Sequence, residues 1–210
     1  ASRDSRAAAP ASPNEKLNIG IIGATGRGGD NLRGVSSENI VALCDVDDNL
    51  LAPVLQKYPA AKRYNDFRKM LEEGKNLDAV GVSTADHCHA NATVMALRLG
   101  KHVYCEKPLT HTVAEARLVA TEAAKAKKAT QMGTQIHAGE NYRRVVQLIQ
   151  AGAIGPVKRV HVFVQSNYNP KPLYKTPEIP AGFHWDLWLG PAPERPYQPI
   201  YHPAQWRRFW

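Results

Sequence analysis

Residues 17–22 read Leu-Asn-Ile-Gly-Ile-Ile and run directly into Gly23-Ala24-Thr25-Gly26-Arg27-Gly28-Gly29; further on, Asn39-Ile40-Val41-Ala42-Leu43-Cys44 ends on Asp45. The order is a short apolar strand, a glycine cluster, a weakly helical stretch to about Ser37, a second apolar strand and a carboxylate. That is the context a dinucleotide fingerprint requires. Small residues let the backbone turn tightly and approach a pyrophosphate, and the following helix offers N–H groups and the positive end of its dipole. Asp45 lies about 20 positions past the first glycine, where a carboxylate accepts both hydroxyls of a ribose. It repels a 2′-phosphate, so NAD is expected as cofactor; Arg27 keeps NADP possible, as a cation able to pair with the extra phosphate. Thr25 stands where G-x-G-x-x-G has its middle glycine, and two frames are open, Gly23/Thr25/Gly28 and Gly23/Gly26/Gly29. A threonine there can give its hydroxyl to a phosphate oxygen. Gly23, Thr25, Gly26, Arg27, Gly28 and Asp45 are the cofactor-binding candidates of this segment.

The pattern continues outward from the loop. Residues 47–57 and 65–73 have helical spacing, 77–84 (LDAVGVST) form a third strand, and 88–99 a helix stopped by Gly100. HVYCE (102–106) is a fourth strand closed by Pro108, 112–128 an Ala/Glu/Lys-rich helix, and ATQMGT (129–134) a fifth strand. Residues 140–150 are amphipathic, with Val145, Leu148 and Ile149 expected inward. Strands alternating with helices imply parallel βαβ units, with helices on both faces and strands apolar throughout. The expected fold is α/β, a Rossmann-type doubly wound parallel sheet. After Pro156 the pattern changes: VKRVHVFVQSNY (157–168) alternates, with Val160, Val162 and Val164 on one face, the signature of an antiparallel strand with a wetter side. The expected organisation is a flexible leader or arm over 1–15, a cofactor-binding domain over 16–135, and over 136–210 the incomplete start of an α+β substrate and oligomerisation domain with an open, mostly antiparallel sheet.

Composition narrows the function classes. The chain has 210 residues, 43% of them hydrophobic and 22% charged, as in ordinary globular proteins. No apolar run approaches the roughly 18 residues of a membrane span, so membrane insertion is not expected. The net charge of +8 is scattered, without basic runs interleaved with aromatics, and no nucleic-acid partner is expected. Three cysteines with no repeated spacing are not a disulfide framework, and Cys44 and Cys105 lie in strand-like runs as buried thiols. His87-Cys88-His89 beside Asp86 invites a metal reading. Neighbours at i and i+2 around a strand-to-helix turn rarely converge on one ion, so no metal is expected.

Two further segments carry a resemblance. Ser83-Thr84-Ala85-Asp86-His87-Cys88-His89-Ala90 follows the third strand, and Cys105-Glu106-Lys107-Pro108 ends the fourth. In an open parallel sheet both lie on the ligand-binding edge. Together with the loop at 23–29, with GTQ at 133–135, YRR at 142–144, GAIGPV at 152–157, WDLWLGPAPERPY at 185–197 and WRRFW at 206–210, the chain resembles the glucose–fructose oxidoreductase/inositol dehydrogenase/MocA (Gfo/Idh/MocA) family from about Leu17 onward. The resemblance implies an NAD(P)-dependent oxidoreductase moving a hydride between nicotinamide and a hydroxyl carbon of a sugar or polyol. It implies Lys107 as the catalytic lysine, touching substrate and cofactor, with Pro108 fixing its backbone and Glu106 positioning lysine or cofactor. It places Ser83, Thr84, Ala85 and His87 along the cofactor, with His89 starting a helix. His137, Tyr201, Trp206 and Arg207 are the substrate-binding candidates, an indole face and a fork of donors suiting a polyol. Trp185 and Trp188 are expected in the core.

The family also continues with a helix of roughly G-x-x-x-D-x-G-x-H-x-x-D that supplies the lysine's acid/base partner, and then most of an open sheet. These 210 residues hold neither, so a fragment or a shortened relative lacking most of the C-terminal domain is expected. A homo-oligomer, dimer or tetramer, is expected when that sheet is present. Two alternatives stand beside the dehydrogenase: an NAD-dependent glycoside hydrolase on the same scaffold, whose members tend to lose Glu-Lys-Pro, and a non-catalytic dinucleotide-binding protein. The Ala/Pro-rich leader is read as periplasmic after twin-arginine export, with a cytoplasmic protein as the alternative and a subunit-clasping arm as a further one.

Overall fold

The computed structural model describes residues 16–164, 177–203 and 205–208. The leader, residues 165–168 of the expected long strand and Trp210 lie outside them. The chain divides into two compact units, Ala1–Met132 with Ile179–Glu194, and Gly133–Glu178 with Arg195–Trp210. The sequence places the boundary at residue 135; this division falls at Met132 and gives Ile179–Glu194 to the first unit.

The first unit is built on a sheet of β1 (Asn18–Ile22), β2 (Asn39–Cys44), β3 (Lys62–Tyr64), β4 (Ala79–Val82), β5 (His102–Glu106) and β6 (Thr130–Gly133), in the order β3-β2-β1-β4-β5-β6. Every pairing from β3 across to β5 is parallel. Strand order reverses at β1, so the crevice where ligands bind opens between the carboxyl ends of β1 and β4. α1 (Arg27–Gly34), α2 (Asp48–Lys57), α3 (Phe67–Glu73), α4 (His89–Arg98) and α5 (Val113–Ala126) connect the strands.

Alternation along the strands divides the core into two layers. Ile19, Ile21, Ile40 and Leu43 pack with Leu32 of α1 and Leu51 of α2. Ile22, Cys44, Val80, Val82, Val103 and Cys105 pack with Met70 and Leu71 of α3 and Ala92, Ala96 and Leu97 of α4. Burial on both faces explains strands that are apolar throughout. α5 is nucleated by a capping box: Thr112 accepts from the Glu115 N–H while the Glu115 carboxylate accepts from the Thr112 N–H.

Two sequence expectations fail in the second unit. α6 (Glu140–Gln150) forms, but Val145, Leu148 and Ile149 are exposed rather than inward. Residues 157–164 carry no strand, and Val160, Val162 and Val164 stand in solvent. The cause is common to both. An amphipathic face and a β ladder each need a partner surface, and among the described residues none covers them.

Candidate active site

The glycine loop leaves the carboxyl end of β1 with Gly23 at φ +77°, a conformation that favours glycine, and a Cβ there would stand 2.6 Å from the Ser83 carbonyl oxygen. A Cβ on Gly28 would overlap the Gly23 carbonyl oxygen, whereas one on Gly29 would make an ordinary contact at 3.8 Å. The close approach of helix to strand therefore rests on Gly28, and the frame is Gly23/Thr25/Gly28. Gly26 is needed for its φ of +52°, with open space about it. This is a cradle that side chains would fill, of the kind a pyrophosphate requires. The residues present fit a dinucleotide, which Gly23–Gly28 would hold at its phosphates and Asp45 at a ribose.

Asp45 follows β2 and is buried. Its Oδ2 accepts from the Thr25 hydroxyl at 2.9 Å and the Thr25 N–H at 3.2 Å, and its Oδ1 accepts from the Asp47 N–H at 3.2 Å. In this structure the Thr25 hydroxyl is directed at the Asp45 carboxylate. Arg27 is also committed within the protein: Nε donates to Glu106 at 3.1 Å and an Nη to Asp30 at 3.1 Å. The Glu106 bond holds its guanidinium pKa above the ordinary value.

Glu106, 4% exposed at the end of β5, is the hub beneath the loop. Its Oε1 accepts from Arg27, from Asn31 Nδ2 at 2.9 Å and from the Tyr104 hydroxyl at 3.2 Å. Burial pushes its pKa up, but the Asn31 and Arg27 hydrogen bonds outweigh that and hold it below the usual carboxylate value. Asn31 Nδ2 also reaches Ser83 Oγ at 2.9 Å, so one amide ties α1 to the ends of β4 and β5. Asn31 and Tyr104 escaped sequence reasoning; Asn31 lies one turn into the helix that the loop opens, the one signal that pointed to it.

Lys107 follows Glu106 and is exposed, and its ammonium has no hydrogen-bond partner among the described residues. Beside it, His89 is 1% exposed, with Nδ1 2.6 Å from the Pro108 carbonyl oxygen and Nε2 3.0 Å from that of Thr84. The ring braces the Lys107–Pro108 turn against the end of β4, more than the helix start read from sequence. His87 turns away: Nε2 meets the Trp188 carbonyl oxygen at 2.8 Å and the ring lies edge-on to Trp188 at 5.3 Å. Burial lowers its pKa. Both histidines of the cluster are thus turned toward backbone carbonyls.

The Trp-rich segment contributes to this unit. α7 (Trp185–Leu189) buries Trp185 and Trp188, stacked at 4.8 Å, as expected of core residues. Its approach is sewn onto the turn after Asp45: the Asp48 N–H donates to the Gly182 carbonyl, the His184 N–H to that of Val46, and Asn49 Nδ2 to that of Ala181. A cavity of about 270 Å³ beside it is lined by Asn65, Arg68, Cys88, Asn91 and Asp186 and by none of the candidate site residues.

Gly23, Thr25, Gly26, Arg27, Gly28, Asp45, Ser83, Thr84, His87, Glu106 and Lys107 all fall in the first unit. His137, Tyr201, Trp206 and Arg207 fall in the second. There His137 is exposed and stacks on Tyr142 at 5.6 Å, Tyr201 is buried, and the Arg207 guanidinium lies 4.2 Å from the Trp206 ring centre.

Comparison with known proteins gives the family. Residues 17–134, more than half the chain, match the Gfo/Idh/MocA model, described as an oxidoreductase family with an NAD-binding Rossmann fold. The chain is 34% identical over 170 residues to inositol 2-dehydrogenase of Salmonella paratyphi B, covering 77% of this chain and 49% of that one. Among solved structures it is similar to myo-inositol 2-dehydrogenase of Lactobacillus plantarum, at 25% identity and a TM-score of 0.63, over 67% of this chain and 43% of that one. The scyllo-inositol dehydrogenase of Lactobacillus casei, solved with NAD(H) and scyllo-inositol, shares the fold at 23% identity and a TM-score of 0.62, over 67% of this chain and 43% of that one. The chain spans about half the length of the relatives it matches. On the fold, the loop and this match, the chain belongs to the Gfo/Idh/MocA oxidoreductase family, with its NAD-binding Rossmann domain.

Proposed function

We propose that the chain carries the cofactor-binding domain of an NAD-dependent dehydrogenase acting on a hydroxyl carbon of a polyol or sugar, with a cyclitol first among the candidates. One observation carries this reading: the glycine cradle, the ribose carboxylate Asp45 and the Glu106–Lys107 turn share the carboxyl edge of one sheet, at and beside its switch point. The inositol dehydrogenases among its relatives support the substrate class.

When bound, the nicotinamide supplies the hydride acceptor. Gly23–Gly28 hold the phosphates and Asp45 the ribose. Lys107 Nζ would donate a hydrogen bond to the substrate oxygen, stabilising the negative charge it gains as its proton passes to a base, a charge that becomes the carbonyl bond when the hydride leaves the same carbon. Glu106, pinned by Arg27, Asn31 and Tyr104, fixes the end of β5 from which Lys107 projects, and His89 fixes the turn behind it. His137, Tyr201, Trp206 and Arg207 are proposed to contact the polyol. A homo-oligomer and export to the periplasm belong to the same reading, and are checked by sedimentation and by fractionating cells that express the complete gene.

The test is a panel of cyclitols, polyols and sugars with the protein encoded by the complete gene, scored by absorbance of reduced nicotinamide, with Lys107→Ala as control. Reduction on a cyclitol that is lost in the variant is the expected result; equal turnover in the variant removes Lys107 from catalysis. Glycoside cleavage without net cofactor reduction would favour the hydrolase reading instead.

A further inference from the structure

We infer that Thr25 is a specificity-determining residue that acts through Asp45: its hydroxyl locks the ribose carboxylate in place and so sharpens selection of NAD against NADP. The inference rests on the proposed cofactor site and concerns the one position where the loop departs from the glycine fingerprint.

Thr25 occupies the middle position of the frame that Gly23 and Gly28 set. A glycine there would offer the facing carboxylate its backbone N–H alone. Thr25 adds its hydroxyl, 2.9 Å from the same Asp45 oxygen that accepts the N–H at 3.2 Å. The other oxygen is held from the far side by the Asp47 N–H at 3.2 Å. Both oxygens of a carboxylate that is 6% exposed are thus anchored before any ligand is present. Rotation about the Asp45 side chain would break bonds at both ends.

The consequence lies in what the carboxylate can no longer do. An unanchored aspartate lessens repulsion from a 2′-phosphate by swinging aside and letting water between the charges. An anchored one must meet the phosphate at close range in a partly buried setting, where repulsion is poorly screened. A ribose diol asks for no such movement, because its hydroxyls donate to a carboxylate already in position. Preorganisation of this kind costs the correct ligand little and the wrong one more.

Arg27 supports the same conclusion by a separate route. It is the cation of the loop, the group that could accommodate a 2′-phosphate. Its Nε is taken by buried Glu106 at 3.1 Å and an Nη by Asp30 at 3.1 Å. Turning Arg27 toward a 2′-phosphate would strip Glu106 of a charged partner inside the protein. The loop therefore refuses the extra phosphate twice, by an anchored carboxylate and by an arginine already engaged.

The experiment is calorimetric titration of the chain with NAD and with NADP, comparing the parent with Thr25→Val, which keeps the branched shape and removes the hydroxyl, and with Thr25→Ser, which restores it. The expected result is a ratio of NADP to NAD dissociation constants about tenfold smaller in Thr25→Val, roughly 1.4 kcal/mol, and returned to the parent ratio in Thr25→Ser. Thr25→Ala is the second hydroxyl-free variant should Thr25→Val fold poorly, with thermal melts run on each. A ratio unchanged in the hydroxyl-free variants overturns the inference while leaving the cofactor site intact, as does equal weakening of both cofactors. A parent chain that binds neither cofactor overturns the site itself, and this inference with it.

Discussion

Lys101 and Lys107 stand at opposite ends of β5 and have opposite fates. Lys101, at the amino end, is 8% exposed, and its ammonium donates to the carbonyls of Lys75 at 3.0 Å and Leu77 at 2.8 Å. Burial lowers its pKa. Lys107, at the carboxyl end, is exposed and keeps its ammonium uncommitted among the described residues. The same residue type is thus a tie on one edge of the sheet and an available donor on the other. What separates them is strand direction: in a doubly wound sheet the carboxyl ends open into the ligand crevice, and the amino ends are closed by turns. The polar groups at the two edges follow suit. At the amino edge Asp78 accepts from the Asn18 N–H and joins β1 to β4. At the carboxyl edge Asp45 and Glu106 gather donors around a cradle.

The largest effect that could break this contrast is on turnover. Lys107→Ala should lower kcat of the protein encoded by the complete gene by about 10²–10⁴-fold, the range for a group acting on the reacting atoms. Its melting temperature should match the parent's. A fall in stability with turnover retained would make Lys107 another tie. Next comes the cradle. Gly28→Ala should abolish measurable NAD binding, because its methyl must displace the Gly23 carbonyl, while Gly29→Ala should bind normally. Equal binding by the two would return the frame to Gly23/Gly26/Gly29.

Lys101→Met supplies the reciprocal result. It leaves two carbonyls without their donor and should cost about 1–3 kcal/mol in denaturant unfolding, with NAD affinity unchanged. Loss of affinity instead would place Lys101 in the site. A smaller effect is expected from Glu106. Its pKa in the folded protein is depressed, so its contribution to stability is complete at neutral pH and is lost as pH falls through the folded value. Glu106→Gln should therefore flatten the acid limb of the stability profile, and an unchanged limb would mean that the hub is not ionised as described. The smallest effect is at the thiols. Burial pushes Cys88 up to about 12 and Cys105 up to about 11, so neither should react with iodoacetamide at pH 8 in the folded chain; rapid labelling would show an open site.

What could be read from the chain was whatever is local. The loop, Asp45 and Lys107 declare themselves because a strand, a turn and a strand end are each written in adjacent residues. β3 did not: it has three residues, Lys62, Arg63 and Tyr64, the first two exposed at the sheet edge, and an edge strand of that kind has no apolar pattern to betray it. The bracing of the site was equally hidden. Asn31 with Glu106, His89 with Pro108 and Thr25 with Asp45 join elements distant in sequence, and no spacing predicts them. Val145, Leu148 and Ile149 mark the opposite error. Their periodicity correctly gives a helix, but periodicity states only that a face wants cover and not what provides it.

The account turns on Asp45 at the mouth of the glycine cradle. The most direct measurement is calorimetric titration of NAD into the chain and into Asp45→Ala. Saturable binding is predicted for the parent, weakened by about 10–100-fold in the variant as charge-assisted hydrogen bonds to the ribose are lost. Absence of binding by the parent, or equal affinity in Asp45→Ala, would contradict the placement of the cofactor in this cradle.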